Sequence, residues 1–421
     1  MQALARLRPD VRQYLIVTGN YWAFTLTDGA LRMLVVLHFH ELGYSPLEIA
    51  LLFLFYEFFG VVTNLLGGWL GAHLGLNRTM NAGLLMQVLA LAMLLVPTNW
   101  LTVPWVMAAQ ALSGIAKDLN KMSAKSAIKL LVPKEASGSL YRWVALLTGS
   151  KNALKGAGFF LGGSLLALLG FRTTIASMVA GLAVVWLLSV LALRGDLGKA
   201  QNKPKFSQLF SRSGAINYLS AARLCLFAAR DVWFVVALPV YLSVTLDWDH
   251  WQVGSFLALW VIGYGAVQAA APLLTGTHRG GVSGGGVSGG RVSGGRVPDG
   301  HSAFLWASPL ILAPAAIALA MTLDWHPTTA LLSGLLLFGV LFAVNSSLHS
   351  YLIVSYARED GVSLDVGFYY MANAMGRLLG TVLSGWLFQA SGLVACLWVS
   401  ATLIASAALI SLKLPTHQPD S

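Results

Sequence analysis

The sequence predicts an all-α membrane protein of twelve transmembrane helices, arranged as two pseudo-symmetric halves of six. Three observations carry this. Of the 421 residues, 57% are hydrophobic and 10% charged, and the mean hydropathy is +0.70, whereas a soluble domain carries about 25% charged residues. Apolar stretches long enough to cross a bilayer core, roughly 20 residues, recur from end to end. A polar, basic stretch at 194–214 falls midway. These features exclude an ordinary soluble domain, a disordered chain and a fibre. In a soluble protein a net charge of +10 would point to nucleic acid. Here most basic residues lie in short loops or inside apolar segments, which fits a bilayer and no nucleic-acid partner. Cys225 and Cys396 lie in apolar runs and make neither a metal spacing nor a disulfide framework.

In order, the predicted spans are 13–38, 46–72, 79–97, 102–130, 140–169, 172–193, 215–244, 251–276, 302–323, 327–357, 365–390 and 392–413. Many are too long and too uniformly apolar for barrel strands, which alternate every second residue. Breakers separate them: Gly43-Tyr44-Ser45-Pro46, Pro97-Thr98-Asn99, Val132-Pro133-Lys134, Asp247-Trp248-Asp249 and Asp324-Trp325-His326-Pro327. Trp100, Trp105, Trp248, Trp251 and Trp325 fall at predicted outer edges and read as interfacial belts.

With both termini in the cytoplasm, the inner loops and tails hold 16 Lys and Arg, among them Arg6, Arg8, Arg78, Lys134, Lys203 and Arg358, and the outer loops hold one, Arg172. Such a bias sets the orientation. The first apolar run is too long for a cleavable signal, and it contains Asp28 and Arg32. The domain organisation expected is a six-helix half at 1–193, a cytoplasmic loop at 194–214, a second half at 215–413 and a tail at 414–421. An insert at 278–300 contains a Gly-Gly-Val-Ser-Gly repeat at 280–297 and reads as a flexible linker. Shifting by 198 places Arg32 on Arg230. Shifting by 222 places Lys155 on Arg377 and Gly163 on Gly385, and shifting by 224 places Lys125 on His349.

Ten cations fall within the spans: Arg32, Lys117, Lys121, Lys125, Lys129, Lys151, Lys155, Arg223, Arg230 and Arg377, against four acids, Asp28, Glu57, Asp118 and Asp231. Each cation costs about 2.5–3.5 kcal/mol at the bilayer centre. Lys125 and Lys129, near the cytoplasmic end of span four, are expected to snorkel. Lys117, Lys155, Arg230 and Arg377 lie near mid-span and cannot. Lys117, Lys121, Lys125 and Lys129 step by four and share a helical face, as do Lys151 and Lys155. Asp28 and Arg32 have the spacing of an ion pair. The unpaired remainder requires a water-filled cavity that attracts an anion. Several cations suit a compact polyanion; Arg matches tetrahedral oxyanions through its planar fork, and Lys acts as a point charge. Purely structural ties between helices are the competing reading. Glu57 and Asp118 either carry a proton or neutralise lysines. Asn64, Gln110, Asn120, Asn152 and Asn373 either contact a ligand or bond between helices. His38, His40 and Glu41 point to different faces and make a poor metal site. No nucleotide loop, nucleophile elbow or Cys/His set appears, so neither an enzyme nor a cofactor is expected.

Several segments carry a resemblance. Gly67–Arg78 (GGWLGAHLGLNR) resembles the major facilitator loop between spans two and three, with Ala72 in place of its acid and His73 in place of its first Arg. Gly158–Gly163 (GFFLGG) resembles the span-five antiporter pattern without its proline; close helix packing is the alternative. Val11–Tyr14 (VRQY), Thr18–Arg32 (TGNYWAFTLTDGALR), Gly114–Ser126 (GIAKDLNKMSAKS), Gly149–Gly156 (GSKNALKG) and Ala229–Phe234 (ARDVWF) resemble the ArsJ family, bacterial organoarsenical efflux permeases of the major facilitator superfamily. The resemblance covers nearly the whole chain except 280–297. It implies multi-pass insertion in the bacterial inner membrane and export of 1-arseno-3-phosphoglycerate. Glyceraldehyde-3-phosphate dehydrogenase makes that compound from arsenate, so the pair confers arsenate resistance. Organophosphate carriers of the superfamily use paired basic residues in spans one and seven, where Arg32 and Arg230 lie.

The expected site is therefore a midplane cavity between the halves. Arg32, Arg230 and Arg377 would hold oxyanions, with Lys117, Lys121, Lys151 and Lys155 around them. Asp28, Glu57, Asp118 and Asp231 would serve as ion-pair or proton-coupling acids. The alternatives are an organophosphate/phosphate exchanger and a membrane scaffold or sensor that transports nothing.

Overall fold

The computed structural model describes residues 9–43, 52, 54–131, 137–193, 197–199, 213–248, 250–275, 298–359 and 361–415. Most of the 278–300 insert and of the 194–214 loop lies outside the described residues. The chain is all-helical: α1 (Pro9–Glu41), α2 (Leu54–Leu74), α3 (Leu76–Met93), a short 3-10 turn (Thr98–Trp100), α4 (Val103–Leu131) and α5 (Ser137–Ala192) are followed by α6 (Gly214–Phe234), α7 (Ala237–Val244), α8 (His250–Leu274), α9 (Gly300–Thr322), α10 (Pro327–Tyr356) and α11 (Val362–Ser411). Among the described residues, six helical stretches are long and apolar enough to cross a membrane. Leu168 (78%), Val244 (77%) and Leu312 (67%) stand exposed, as lipid-facing side chains do, since acyl chains are as apolar as leucine.

The breaks follow from backbone chemistry. Asp247 and Asp324 adopt positive φ at the predicted breaks, a conformation that Asp tolerates better than most residues. α5 and α11 are each interrupted by one glycine at φ +74, Gly170 and Gly392, where a side chain would strain the backbone. These two glycines are 222 residues apart, the spacing that aligns Lys155 with Arg377. Two boundaries differ from the sequence reading. Gly75 at φ +89 makes the whole turn between α2 and α3, so Asn77 and Arg78 are helical rather than looped. The predicted span 215–244 is broken at 235–236, and the Ser384 hydroxyl accepts hydrogen bonds from the freed amides of Val236 and Ala237.

Small residues let the helices touch. A Cβ on Gly158 would lie 2.6 Å from the Leu26 carbonyl oxygen in α1, and one on Gly380 would lie 2.7 Å from the Ala228 carbonyl oxygen in α6. The Gly158–Gly163 stretch thus serves close packing of α5 on α1. Gly158 and Gly380 keep the 222 spacing, but Leu26 and Ala228 are 202 apart. The packing register therefore sets Arg230 level with Asp28; the 198 shift that matched it to Arg32 is one helical turn short. α2 also packs on α11 and α5 on α8, tying the first part of the chain to the second.

Candidate functional site

The lysine column of α4 divides among different partners. The Lys117 ammonium lies 3.8 Å from the Tyr56 ring centroid. Lys121 pairs with Asp118 at 2.6 Å and lies 4.8 Å from the Tyr370 ring centroid. Lys125 is 2% exposed and donates to the Thr148 hydroxyl of α5. It does not snorkel, because that hydroxyl meets its ammonium inside the protein. Lys129 donates to the Ser355 carbonyl of α10 at 2.9 Å.

Tyr56 organises the Asp28–Arg32 stretch of α1. Its hydroxyl donates to Asp28 at 2.7 Å, and the Arg32 guanidinium lies 4.3 Å from its ring centroid. Asp28 and Arg32, read from the sequence as a direct pair, both engage this ring residue of α2. Glu57 follows on α2; its side chain lies outside the described residues.

Between α6 and α11, Asp231 is fully buried and answers two cations, Arg230 at 2.5 Å and Arg377 at 3.3 Å. Arg223 is 3% exposed. It donates to the Asn373 side-chain oxygen at 2.8 Å and to the Ser346 hydroxyl at 3.1 Å. Gln268 donates to the same Ser346 hydroxyl and accepts from Asn152. This polar chain joins α5, α8, α10, α6 and α11. Arg223, Asn152 and Asn373 are therefore engaged between helices, whereas Asn120 donates to the Ala116 carbonyl within its own helix, α4.

Lys151 and Lys155, one turn apart on α5, differ from the rest. Among the described residues neither has a hydrogen bond or a carboxylate within 4.0 Å. The charges that act on Lys151 are Lys121, Lys125, Arg377 and Lys117. Among the described residues, those acting on Lys155 are Arg32, Asp28, Lys151 and Arg377. The fold thus gathers Arg32, Lys117, Lys121, Lys151, Lys155 and Arg377 into one electrostatic cluster. Arg230 joins it through Asp231, which it shares with Arg377. Such a cluster holds net positive charge in surroundings of low dielectric, where its pull on an anion is strongest. Sequence reasoning missed Tyr56 and Tyr370, which stand in apolar or aromatic runs without a distinguishing period.

An apolar groove between α1 and α5, lined by Leu26, Thr27, Leu165, Met178 and Leu182 among others, includes none of these cations. On the same two helices, His38 stacks on Phe171 with centroids 4.0 Å apart.

The fold is shared with solved transporters. The structure of the fucose:proton symporter of E. coli matches with a TM-score of 0.73 at 11% identity, over 96% of this chain and 99% of that one. A human organic anion transporter matches with a TM-score of 0.72 at 17% identity, over 96% of this chain and 100% of that one. A bacterial homologue of the iron transporter ferroportin, in an outward-facing state, matches with a TM-score of 0.72 at 15% identity, over 97% and 99%. At these identities the likeness concerns the fold alone. No curated protein matches the sequence. The Major Facilitator Superfamily model matches residues 15–290, well over half of the chain, and the chain accordingly belongs to that superfamily of multi-pass membrane transporters.

Proposed function

We propose that this transporter exports a small polyanionic organoarsenical, 1-arseno-3-phosphoglycerate, from the bacterial cytoplasm by alternating access and so confers arsenate resistance. The observation that carries the reading is the pair Lys151 and Lys155, two cations inside the membrane with no carboxylate partner among the described residues. A cargo with two tetrahedral oxyanions supplies the missing counter-charge. The resemblance of Thr18–Arg32, Gly114–Ser126, Gly149–Gly156 and Ala229–Phe234 to organoarsenical permeases specifies the arsenic. Lys151, Lys155, Arg32 and Lys117 form the first anion contacts. Arg230 and Arg377 meet the anion with part of their charge already answered by Asp231. Lys121 adds field while held by Asp118, and Asp28, Glu57 or Asp118 is the place for a coupled proton.

Alternating access needs an end that closes. Lys129 on Ser355, Ser363 on the Gly68 carbonyl at 2.7 Å, and the α5–α8 approach at Gly149 and Gly265 all tie the two parts of the chain together. They lie at the end that the charge bias assigns to the cytoplasm. In this reading both termini face the cytoplasm and the protein spans the inner membrane. The dehydrogenase that forms the substrate is the functional partner.

The test is arsenic accumulation in cells exposed to arsenate, with and without this chain, with the dehydrogenase present in both. The expected result is lower accumulation with the chain; equal accumulation refutes export. An exchanger remains the second reading, favoured by the paired basic residues. Proteoliposomes with phosphate trapped inside separate the two, because flux that requires trapped phosphate identifies exchange.

A further inference from the structure

Among the described residues, Arg223 is answered by neutral groups alone. Its Nε donates to the Asn373 side-chain oxygen at 2.8 Å, and its Nη1 donates to the carbonyl and the hydroxyl of Ser346 at 3.2 and 3.1 Å. Its Nη2 donates to none of the described residues, and none of their carboxylates lies within 4.0 Å of the guanidinium. A guanidinium stays charged at every physiological pH, and this one is 3% exposed. Lys125, 2% exposed, is in the same condition. It donates to the Thr148 hydroxyl, and among the described residues no carboxylate lies within 4.0 Å of it. The charge of Arg223 acts on Lys125.

The helices that carry these cations, α4 and α6, both pack on α10 and α11. On α11, Tyr369 and Tyr370 stand with ring centroids 4.9 Å apart. The Lys125 ammonium lies 5.6 Å from the Tyr370 centroid, and the Arg223 guanidinium lies 5.4 Å from the Tyr369 centroid. Both tyrosine hydroxyls approach Ser350 of α10, yet none of the three buried hydroxyls closes a hydrogen bond among the described residues. Buried hydroxyls are nearly always bonded. An oxyanion answers both conditions at once, because it accepts from the hydroxyls and balances the cations. Arg223 precedes Arg230 by seven residues, two turns or about 10 Å along α6, so it stands apart from the Asp231 group. Lys121 and Lys125 act on Lys151 as well, which makes this group a neighbour of the lysine pair on α5.

We propose that Arg223, Lys125, Tyr369, Tyr370 and Ser350 form a second anion subsite, which takes one tetrahedral oxyanion of a cargo while Lys151 and Lys155 take the other. The proposal deepens the function given above and rests on it. It also specifies the substrate class: an anion with a tetrahedral oxyanion at each end is preferred to a single oxyanion.

The test uses the full-length purified protein, with binding read by calorimetry. The probes are propane-1,3-diol bisphosphate, a stable anion with an oxyanion at each end, and inorganic phosphate. Wild type is expected to bind one bisphosphate or two phosphates. Lys125→Met should weaken bisphosphate binding about tenfold and leave one phosphate bound, and Tyr370→Phe, which keeps the ring, should weaken bisphosphate binding about threefold. Lys155→Ala is the control for the first subsite, and thermal unfolding is measured for every variant. A purely structural role would lower the unfolding temperature and weaken both phosphates together, and that result overturns the subsite. Wild-type bisphosphate affinity in Lys125→Met and Tyr370→Phe, with binding lost in Lys155→Ala, overturns the second subsite and leaves the proposed function standing. Unchanged binding in all three variants overturns both. Should Lys125→Met fail to fold, Tyr370→Phe decides.

Discussion

Replacing Asp231 by asparagine removes the carboxylate that Arg230 and Arg377 share. The side chain is buried, and the two guanidinium groups approach it to 2.5 and 3.3 Å. Removing one partner of a buried ion pair costs about 3–5 kcal/mol, because the other charge is left without compensation. Part of that cost is relieved here: the Arg230 side chain is 16% exposed and Arg377 35%, so water solvates some of the released charge. The expected loss for Asp231→Asn is therefore about 2–3 kcal/mol. Arg377→Gln, on the more exposed partner, should cost about 1 kcal/mol or less. The assay is detergent-solubilised unfolding of wild type, both single variants and the double variant. Because Asp231 and Arg377 touch, their effects should fail to add by about 1 kcal/mol. An Asp231→Asn protein within about 0.5 kcal/mol of wild type, the range of a neutral surface change, would refute Asp231 as the counter-ion of this cluster.

Lys151→Ala and Lys155→Ala, at positions with no carboxylate partner among the described residues, should lower arsenic efflux at least tenfold without loss of protein from the membrane; normal resistance removes them from the site. Arg223→Ala should destabilise the protein by about 2–4 kcal/mol, because Asn373 and Ser346 lose their donor. Arg223→Lys should rescue little, since an ammonium lacks the guanidinium fork; a full rescue, read by thermal unfolding, argues against that geometry. In Gly149→Val the new Cβ would sit 2.5 Å from the Gly265 carbonyl oxygen, so folded yield on size-exclusion should fall sharply; wild-type yield shows that the α5–α8 contact is loose.

Much of the architecture was legible before the fold. Hydropathy located the helical stretches because a bilayer requires them, and the breaks at Asp247, Asp324, Gly170 and Gly392 lie where breakers or charge interrupt the apolar runs. The 222 spacing was visible as Lys155 and Arg377 and reappears in two glycines of identical φ. The 198 spacing misled because a single matched arginine does not fix a register, whereas the backbone contacts of Gly158 and Gly380 do. Lys125 and Lys129 looked alike in sequence, yet one bonds a buried threonine and the other a carbonyl on α10.

The sequence by itself determined that this protein is helical, lies in a membrane and carries more basic than acidic groups there, since these depend only on which residues occur and how far apart they are. Tertiary structure alone decided which of those charges are answered. A four-residue step puts lysines on one face, but whether Asp231, the Tyr56 ring or no carboxylate at all meets a given cation depends on how the helices pack. That packing is set by glycine contacts spanning distant parts of the chain, and no local pattern encodes them.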